Sequence, residues 1–159
     1  MIPQTQQRQT YNGDCLRACI ASLLELPIEG VPDWSSMRED KDSAYPIWYI
    51  EMQAWLVKRG YLYVQINLNE KDWVPIPYNM RCILIGDVMT NVAQEGQKRK
   101  REIVSHAVVG YCDGMKLHIE HDPLPGEREF HGGAKSVVLL VPQDPATMKF
   151  TSGSIIEFV

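Results

Sequence analysis

Residues Gln9 to Leu26 read QTYNGDCLRACIASLLEL, and the rest of the chain is best understood from this stretch. The turn-prone Asn-Gly-Asp run ends at Cys15, where apolar residues begin to recur with the spacing of one helix face. Asp14 stands where an N-cap residue is expected. In the first helical turn, backbone N–H groups without a helical partner and the positive end of the helix dipole favour a thiolate. The pattern therefore predicts a helix from Cys15 to Glu25 that begins with a potential nucleophile.

Length and composition indicate an ordinary globular protein. The chain has 159 residues, of which 45% are hydrophobic and 23% charged, so we expect a single domain spanning residues 1–159. The formal net charge of −4 gives no general case for nucleic-acid binding. The chain has no apolar run of about 18 residues and no apolar signal-peptide core, which predicts a cytoplasmic protein without a membrane segment.

The four cysteines are too few to suggest a disulfide scaffold, so reduced thiols are expected. Cys82 and Cys112 stand in apolar, strand-like surroundings typical of core residues, and Cys19 lies on the helix face predicted to be buried. A zinc site using Cys15, Cys19 and some of the histidines is conceivable, but the sequence has no C-x-x-C pair. We therefore predict neither a metal nor a cofactor.

The remaining elements are one more helix followed mainly by strands. Proline at the start and Gly60 just past the end bound a second helix over Pro46–Arg59. Its broad apolar stripe is expected to include Ile47, Ile50, Ala54 and Val57, with Trp55 and Leu56 beside them. Trp34 is expected to anchor the loop between the helices. Apolar, β-prone segments predict the following strands: Tyr61–Leu68, Met80–Ile85, Ile103–Tyr111, Met115–His121, Ser136–Val141 and Ser154–Phe158. This order predicts an α+β fold with an antiparallel sheet.

The segment Val88–Glu102 contains four consecutive basic residues, Lys98 to Arg101. Gly86-Asp87 should end the preceding strand, and a charge run of this kind usually marks a solvated loop or a helix end. A flap or a contact with an anionic partner is the functional alternative.

A predicted hairpin supplies the groups that a nucleophilic cysteine needs. If Asp113 and Gly114 form a two-residue turn, His106 faces His121, whereas a bulge or a longer turn would place Asp122 beside His106. His106 could act as the base toward Cys15, and Asp122 could orient its ring.

These elements resemble the papain-like cysteine peptidase superfamily, in which a glutamine precedes a cysteine at a helix start and a strand histidine and an Asp or Asn follow. Among its branches the chain is most similar to the compact bacteriocin-processing peptidases. The runs GDCLRACIASLLELPIEGVP, HAVVGYCDG and HDPLPG also resemble small bacterial and phage proteins.

The resemblance implies a papain-like fold in which the cysteine helix packs on an antiparallel sheet. It implies Cys15 as nucleophile, His106 as general base, Asp122 as orienter and Gln9, six residues before the cysteine, as oxyanion donor. The expected function is hydrolysis of a peptide, isopeptide or related amide bond in a peptide or protein substrate. A non-catalytic binding or inhibitory protein and a thiol acyltransferase of transglutaminase type are the alternatives. In the family, the residue after the nucleophile is usually small or aromatic, whereas here it is Leu16. The segment Val88–Ser105 is also longer than the corresponding loop of the family, so we expect a substrate cleft of a different shape.

Overall fold

The computed structural model describes residues 1–7, 14–34, 37, 45–68, 79–92, 100–113, 116–124 and 129–144. They form an α+β fold, which confirms the predicted class. In chain order the elements are α1 (Cys15–Leu23), a short 3₁₀ helix (Ile28–Gly30), α2 (Ile47–Val57), β1 (Tyr61–Asn67), β2 (Arg81–Val92), β3 (Lys100–Cys112), β4 (Leu117–His121) and β5 (Ala134–Pro142). The predicted strand Ser154–Phe158 lies outside the described residues.

The five strands form one antiparallel sheet in the order β1-β5-β2-β3-β4. Helix α1 packs on β3 and β2, where its Ala18, Cys19 and Ile20 join Ala107 and Val109 in the main core. Because α1 lies on β3, the first residue of the helix is held beside the strand that carries His106.

Helix α2 packs on β1 with only part of the predicted stripe, since Leu56 is buried as expected but other members of the stripe are not. Met52 and Leu56 are fully buried, whereas Ile50 and Val57 are exposed. The helix carries apolar residues nearly all round, so spacing alone does not select the buried face. Trp34 is buried and meets Trp55 edge-on, with ring centroids 5.7 Å apart, which confirms it as the anchor of the loop between the helices.

Strand β2 continues through Gly86-Asp87 to Val92, so the predicted end of the strand at this point is wrong. A Cβ at Gly86 would lie 2.8 Å from the Phe130 ring and 2.9 Å from the Gly133 carbonyl oxygen. The glycine is therefore needed for close packing inside a strand rather than for a turn.

The segment predicted as a basic loop is also in part a strand pair. Residues 88–92 belong to β2 and residues 100–102 to β3, while residues 93–99 lie outside the described residues. Strand β5 pairs with β2 only as far as Gly86, and β4 pairs with β3 only as far as Val109. We call residues 87–92 and 100–105 the arm, since there β2 and β3 pair with each other beyond those contacts.

The connection between β3 and β4 is longer than the two-residue turn considered from the sequence. Cys112 pairs with Leu117, and Val109 pairs with His121, with a bulge between Val109 and Gly110. His121 therefore faces Val109 and not His106. Cys112, Cys82 and Cys19 are buried as predicted, and none of the four cysteines forms a disulfide.

Candidate active site

Cys15 is the first residue of α1 and is partly exposed. Asp14 precedes it at the N-cap position, but its carboxylate makes no capping bond to the helix. It instead accepts a hydrogen bond from the Gln7 backbone N–H at 3.3 Å and lies 3.5 Å from the Arg17 guanidinium. The Asp14 side chain thus holds the chain that leads into the helix, and it does not occupy the N–H groups of the first helical turn, as an N-cap side chain would.

His106 lies in β3 and connects the thiol to a carboxylate. Its Nε2 is 2.7 Å from Oδ1 of Asp122, and its ring is also hydrogen-bonded to Cys15. Since one ring nitrogen is committed to Asp122, Nδ1 is the nitrogen available to the sulfur. The structure therefore brings three of the four predicted site residues together in the order thiol, imidazole, carboxylate.

Asp122 directly follows β4 and is held by its own loop. Its Oδ1 also accepts a hydrogen bond from the Leu124 backbone N–H at 2.8 Å. The bulge at Val109 and Gly110 shifts the end of β4 along β3, and the carboxylate reaches the His106 ring from there. This is the juxtaposition expected from a bulged hairpin, although the turn itself differs from the two-residue form.

The surroundings of His106 alter its proton affinity. Burial of the ring lowers its pKa, because the charged imidazolium loses hydration, but the hydrogen bonds with Asp122 and Cys15 and their charges outweigh this effect. The net result raises the pKa of His106 from 6.5 to about 9. The ring is consequently an imidazolium at neutral pH, which is the form that stabilises an adjacent thiolate.

Gln9, predicted as the oxyanion donor, lies outside the described residues. Another glutamine of the lead-in is buried: Gln6 is 8% exposed, and its backbone N–H donates to the Pro123 carbonyl oxygen at 2.9 Å. Gln6 thus lies against the segment that carries Asp122, and the next residue, Gln7, is bonded to Asp14 beside the nucleophile. The lead-in contains several glutamines, and nothing in their spacing indicated which one would be buried.

The other three histidines serve different contacts. His121 Nε2 donates to the Gln4 carbonyl oxygen at 2.8 Å and so ties β4 to the lead-in. His118 is 2.6 Å from Oδ2 of Asp113 and stacks on Tyr111, at the far end of the β3–β4 hairpin. His131 has an exposed side chain.

Cys19 lies one helical turn after Cys15 and is fully buried. Burial raises the pKa of its thiol well above the usual value, and the nearby Cys15 and Asp122 act in the same direction. Cys19 is therefore a neutral thiol that packs under the site, whereas Cys15 is the accessible one.

Within the described part of the chain, no group of three or more His, Cys, Asp or Glu side chains could hold a metal ion. The two described α-helices are also too short and not apolar enough to cross a membrane. Comparison with protein-family models, with curated proteins and with solved structures finds no match to this chain.

Proposed function

We propose that this chain is a papain-like thiol hydrolase that cleaves a peptide, isopeptide or related amide bond through an acyl-enzyme on Cys15. The observation that carries the proposal is the position of His106, hydrogen-bonded on one side to the Cys15 thiol and on the other to Asp122. A cysteine at a helix start, a histidine in contact with it and a carboxylate that orients the ring are the parts of an activated thiol nucleophile.

The chemistry follows from this arrangement. The Cys15 thiolate attacks the carbonyl carbon, a C–S bond forms, and the carbonyl π electrons move to oxygen. The backbone N–H groups of the first helical turn are suited to hold that oxyanion, and Gln9 stays the residue predicted to donate its side-chain amide. The His106 imidazolium then gives its proton to the leaving amine as the C–N bond breaks, which leaves a thioester and a neutral ring.

Water completes the cycle. Neutral His106 takes a proton from the attacking water, the new C–O bond forms, and the C–S bond breaks to return the thiolate. Asp122 keeps the ring oriented and stabilises its protonated form in both half-reactions. An amine in place of water would give an acyl transfer, so added amines distinguish a hydrolase from a transferase by the product.

Alkylation of Cys15 with iodoacetamide from pH 5 to 9 tests the proposal. The reactivity of an ordinary thiol falls about tenfold for each pH unit below roughly 8.5. We expect the alkylation rate of Cys15 to fall less steeply than this as the pH is lowered, because the His106 imidazolium favours the thiolate. Replacement His106→Ala should restore the ordinary profile, whereas His118→Ala, which removes a histidine with its own Asp partner, should not.

An ordinary profile in the wild type, unchanged by His106→Ala, would refute the thiolate–imidazolium pair. Electrophilic probes built on short peptide tails then report whether the site accepts acyl groups. They should label the wild type and leave Cys15→Ala unlabelled. A protein that binds such peptides equally well in both forms, without labelling, would be a binding module rather than an enzyme.

A further inference from the structure

A buried ion pair adjoins the nucleophile and takes no part in the reaction steps proposed above. Asp14 directly precedes Cys15 in the chain, and Arg17 lies in the first turn of α1. A guanidinium nitrogen of Arg17 is 3.5 Å from Oδ2 of Asp14, and the two side chains are only 13% and 2% exposed. Charged side chains are rarely buried to this extent unless they are paired, so each of these two charges depends on the other.

Arg17 is also held from a second direction. Its Nε donates a hydrogen bond to the Val31 carbonyl oxygen at 2.7 Å, and Val31 is fully buried. Because Val31 directly follows the 3₁₀ helix, the guanidinium joins the first turn of α1 to the loop between the helices. A planar guanidinium can serve a carbonyl oxygen and a carboxylate at once through separate N–H groups. The positive charge of Arg17 therefore has a fixed position next to Asp14.

The Asp14 carboxylate is fixed beside the thiol in the same way. It accepts a hydrogen bond from the Gln7 N–H at 3.3 Å, and the Asp14 carbonyl oxygen accepts one from the Ala18 N–H at 2.9 Å. The Gln7 side chain binds Glu29 on the exposed surface, where water screens the charge. Consecutive Cα atoms are about 3.8 Å apart, so the short Asp14 and Cys15 side chains place their charges within about 10 Å of each other.

The other described titratable groups near Cys15 come from three elements. Strand β3 contributes His106, and the residue that follows β4 contributes Asp122, which is 2.7 Å from the His106 ring. Helix α1 contributes Cys19, which is a neutral thiol because it is fully buried. The His106 imidazolium is thus shared between the Cys15 thiolate and the Asp122 carboxylate, and it does not also offset a third negative charge.

The sum of these charges shows what the ion pair does for the site. When the thiolate forms, Asp14, Cys15 and Asp122 are negative, while His106 and Arg17 are positive. Without Arg17 the negative charges would exceed the positive ones by two. At about 10 Å and an effective dielectric constant of about 20, the repulsion between a carboxylate and a thiolate changes the protonation equilibrium by about tenfold.

We propose that Arg17 is a positioning residue of the candidate active site, whose charge offsets the buried Asp14 carboxylate and so allows the Cys15 thiolate to form beside it. In this role Arg17 acts through Asp14 on the electrostatics of the site and not on the reacting atoms. The inference rests on the proposed function, since it names a residue that maintains the nucleophile of that function.

The test is iodoacetamide alkylation of Cys15, followed on the Cys15 peptide by mass spectrometry and expressed as the ratio of the rate at pH 6 to the rate at pH 9. This ratio follows the thiolate fraction, whereas a change in the accessibility of the thiol affects both rates and cancels. Arg17→Met keeps the apolar stem and removes the charge, so it should lower the ratio about tenfold. Arg17→Lys keeps the charge and should retain most of the wild-type ratio.

A second substitution separates the effect of charge from that of structure. Asp14→Asn keeps an oxygen for the Gln7 N–H and removes the negative charge, so alone it should not lower the ratio. Combined with Arg17→Met it should restore the wild-type ratio, an increase of about tenfold over Arg17→Met. If the pair only held the start of the helix, each change would disturb the site, and the double variant would be at least as impaired as Arg17→Met.

Arg81 provides the matched control. It forms an ion pair with Glu120 at 2.8 Å and is opposite Tyr111, roughly 16 Å along β3 from His106. Arg81→Met should therefore leave the ratio unchanged. Far-UV circular dichroism checks that each variant is folded. If Arg17→Met does not fold, the double variant and Arg17→Lys carry the test, because both are expected to keep the wild-type ratio.

The outcomes separate the two proposals. An unchanged ratio in folded Arg17→Met, or a double variant that stays about tenfold below the wild type, would overturn the role of Arg17. If His106→Ala still lowers the ratio in that case, the thiolate–imidazolium pair stands. An ordinary profile in the wild type that His106→Ala does not change would refute the proposed function, even where the ratio falls in Arg17→Met and recovers in the double variant.

Discussion

At the scale of single residues, the site depends on His106 having a different partner on each ring nitrogen. Asp122 binds Nε2 at 2.7 Å, which leaves the other nitrogen for Cys15 and fixes the ring plane. A buried imidazolium would be unfavourable without these contacts, because burial alone lowers the pKa of the ring. The Asp122 carboxylate thus acts together with Cys15 to keep His106 protonated.

Replacing Asp122 with asparagine tests this dependence. Asp122→Asn retains an oxygen that can bind Nε2 but removes the negative charge, so the pKa of His106 should fall from about 9 toward its usual range. Hydrolysis should fall by about 10²-fold, within the usual contribution of acid–base catalysis. NMR titration of the imidazole Cε1–H signals measures the first effect, and steady-state kinetics the second.

Asp113→Asn is the matched control, since Asp113 binds His118 in a similar pair at 2.6 Å away from the thiol. It should leave both the His106 titration and the rate unchanged. If Asp122→Asn leaves the pKa of His106 near 9, then Asp122 is not the cause of the raised value.

At the scale of elements, glycines allow β2 and β3 to pack where other residues would collide. Gly110 stands at the bulge that sets the register of β4. A Cβ there would lie 2.5 Å from the His118 carbonyl oxygen and 2.6 Å from Leu84 Cδ1. The position of Asp122 relative to His106 therefore depends on a glycine in the middle of a strand.

Gly110→Ala should consequently destabilise the protein and disturb the site. Overpacking of a filled core costs typically about 1–3 kcal/mol, and contact with a backbone oxygen places this variant toward the upper end. Urea unfolding measures the loss of stability, and the alkylation profile of Cys15 measures the change at the site. Gly30→Ala is the control, because its Cβ would meet nothing closer than 3.7 Å. Equal stability of the two variants would contradict the proposed role of the bulge.

The sequence predicted which segments form helices and strands better than it predicted where they end and which of their faces are buried. The start of α1, β1 and the strand nature of β3 follow from local apolar patterns. Gly86 was misread as the end of a strand because local sequence does not show which ring will pack against the glycine. The buried face of α2 depends in the same way on contacts with β1, which a helix apolar on nearly every side does not reveal.

The site residues that stand in local sequence patterns were predictable, whereas those that depend on strand register or tertiary contacts were not. Cys15 and His106 stand at recognisable places in the pattern, a helix start and an apolar strand. The choice between His121 and Asp122 depended on a bulge and on the length of a turn, each of which changes the register by a residue or two. Gln6 was missed because its burial comes from a tertiary contact with Pro123.

At the scale of the whole molecule, the lead-in joins the parts that carry the site. The Gln4 N–H donates to Ser22 in α1 at 2.9 Å, and its carbonyl oxygen accepts from His121 in β4. The Gln6 N–H donates to the carbonyl oxygen of Pro123, the residue after Asp122, and the Gln7 N–H donates to the Asp14 carboxylate. Because folding assembles Cys15, His106 and Asp122 from separate elements, the protonation of His106 should be coupled to global stability.

The stability of the protein should therefore depend on pH through His106. The pKa of His106 is about 9 in the folded protein and 6.5 without its partners, so folding favours the protonated ring. The contribution is complete below pH 6.5, declines as pH rises from 6.5 to 9 and is lost above that. It amounts to at most about 3 kcal/mol, since each pKa unit corresponds to about 1.36 kcal/mol.

Urea unfolding at intervals from pH 5.5 to 9.5 measures this decline. The comparison is made in the Cys15→Ala protein, where no thiolate can form: adding His106→Gln should remove the decline, so the difference in unfolding free energy between these two variants should shrink as pH rises. Cys15→Ala should retain a smaller decline, because Asp122 still favours the imidazolium when the thiol is absent. A difference between these two variants that stays constant across this range would show that His106 carries the same charge in the folded and unfolded chain, and Asp122 would then not be a cause of its raised pKa.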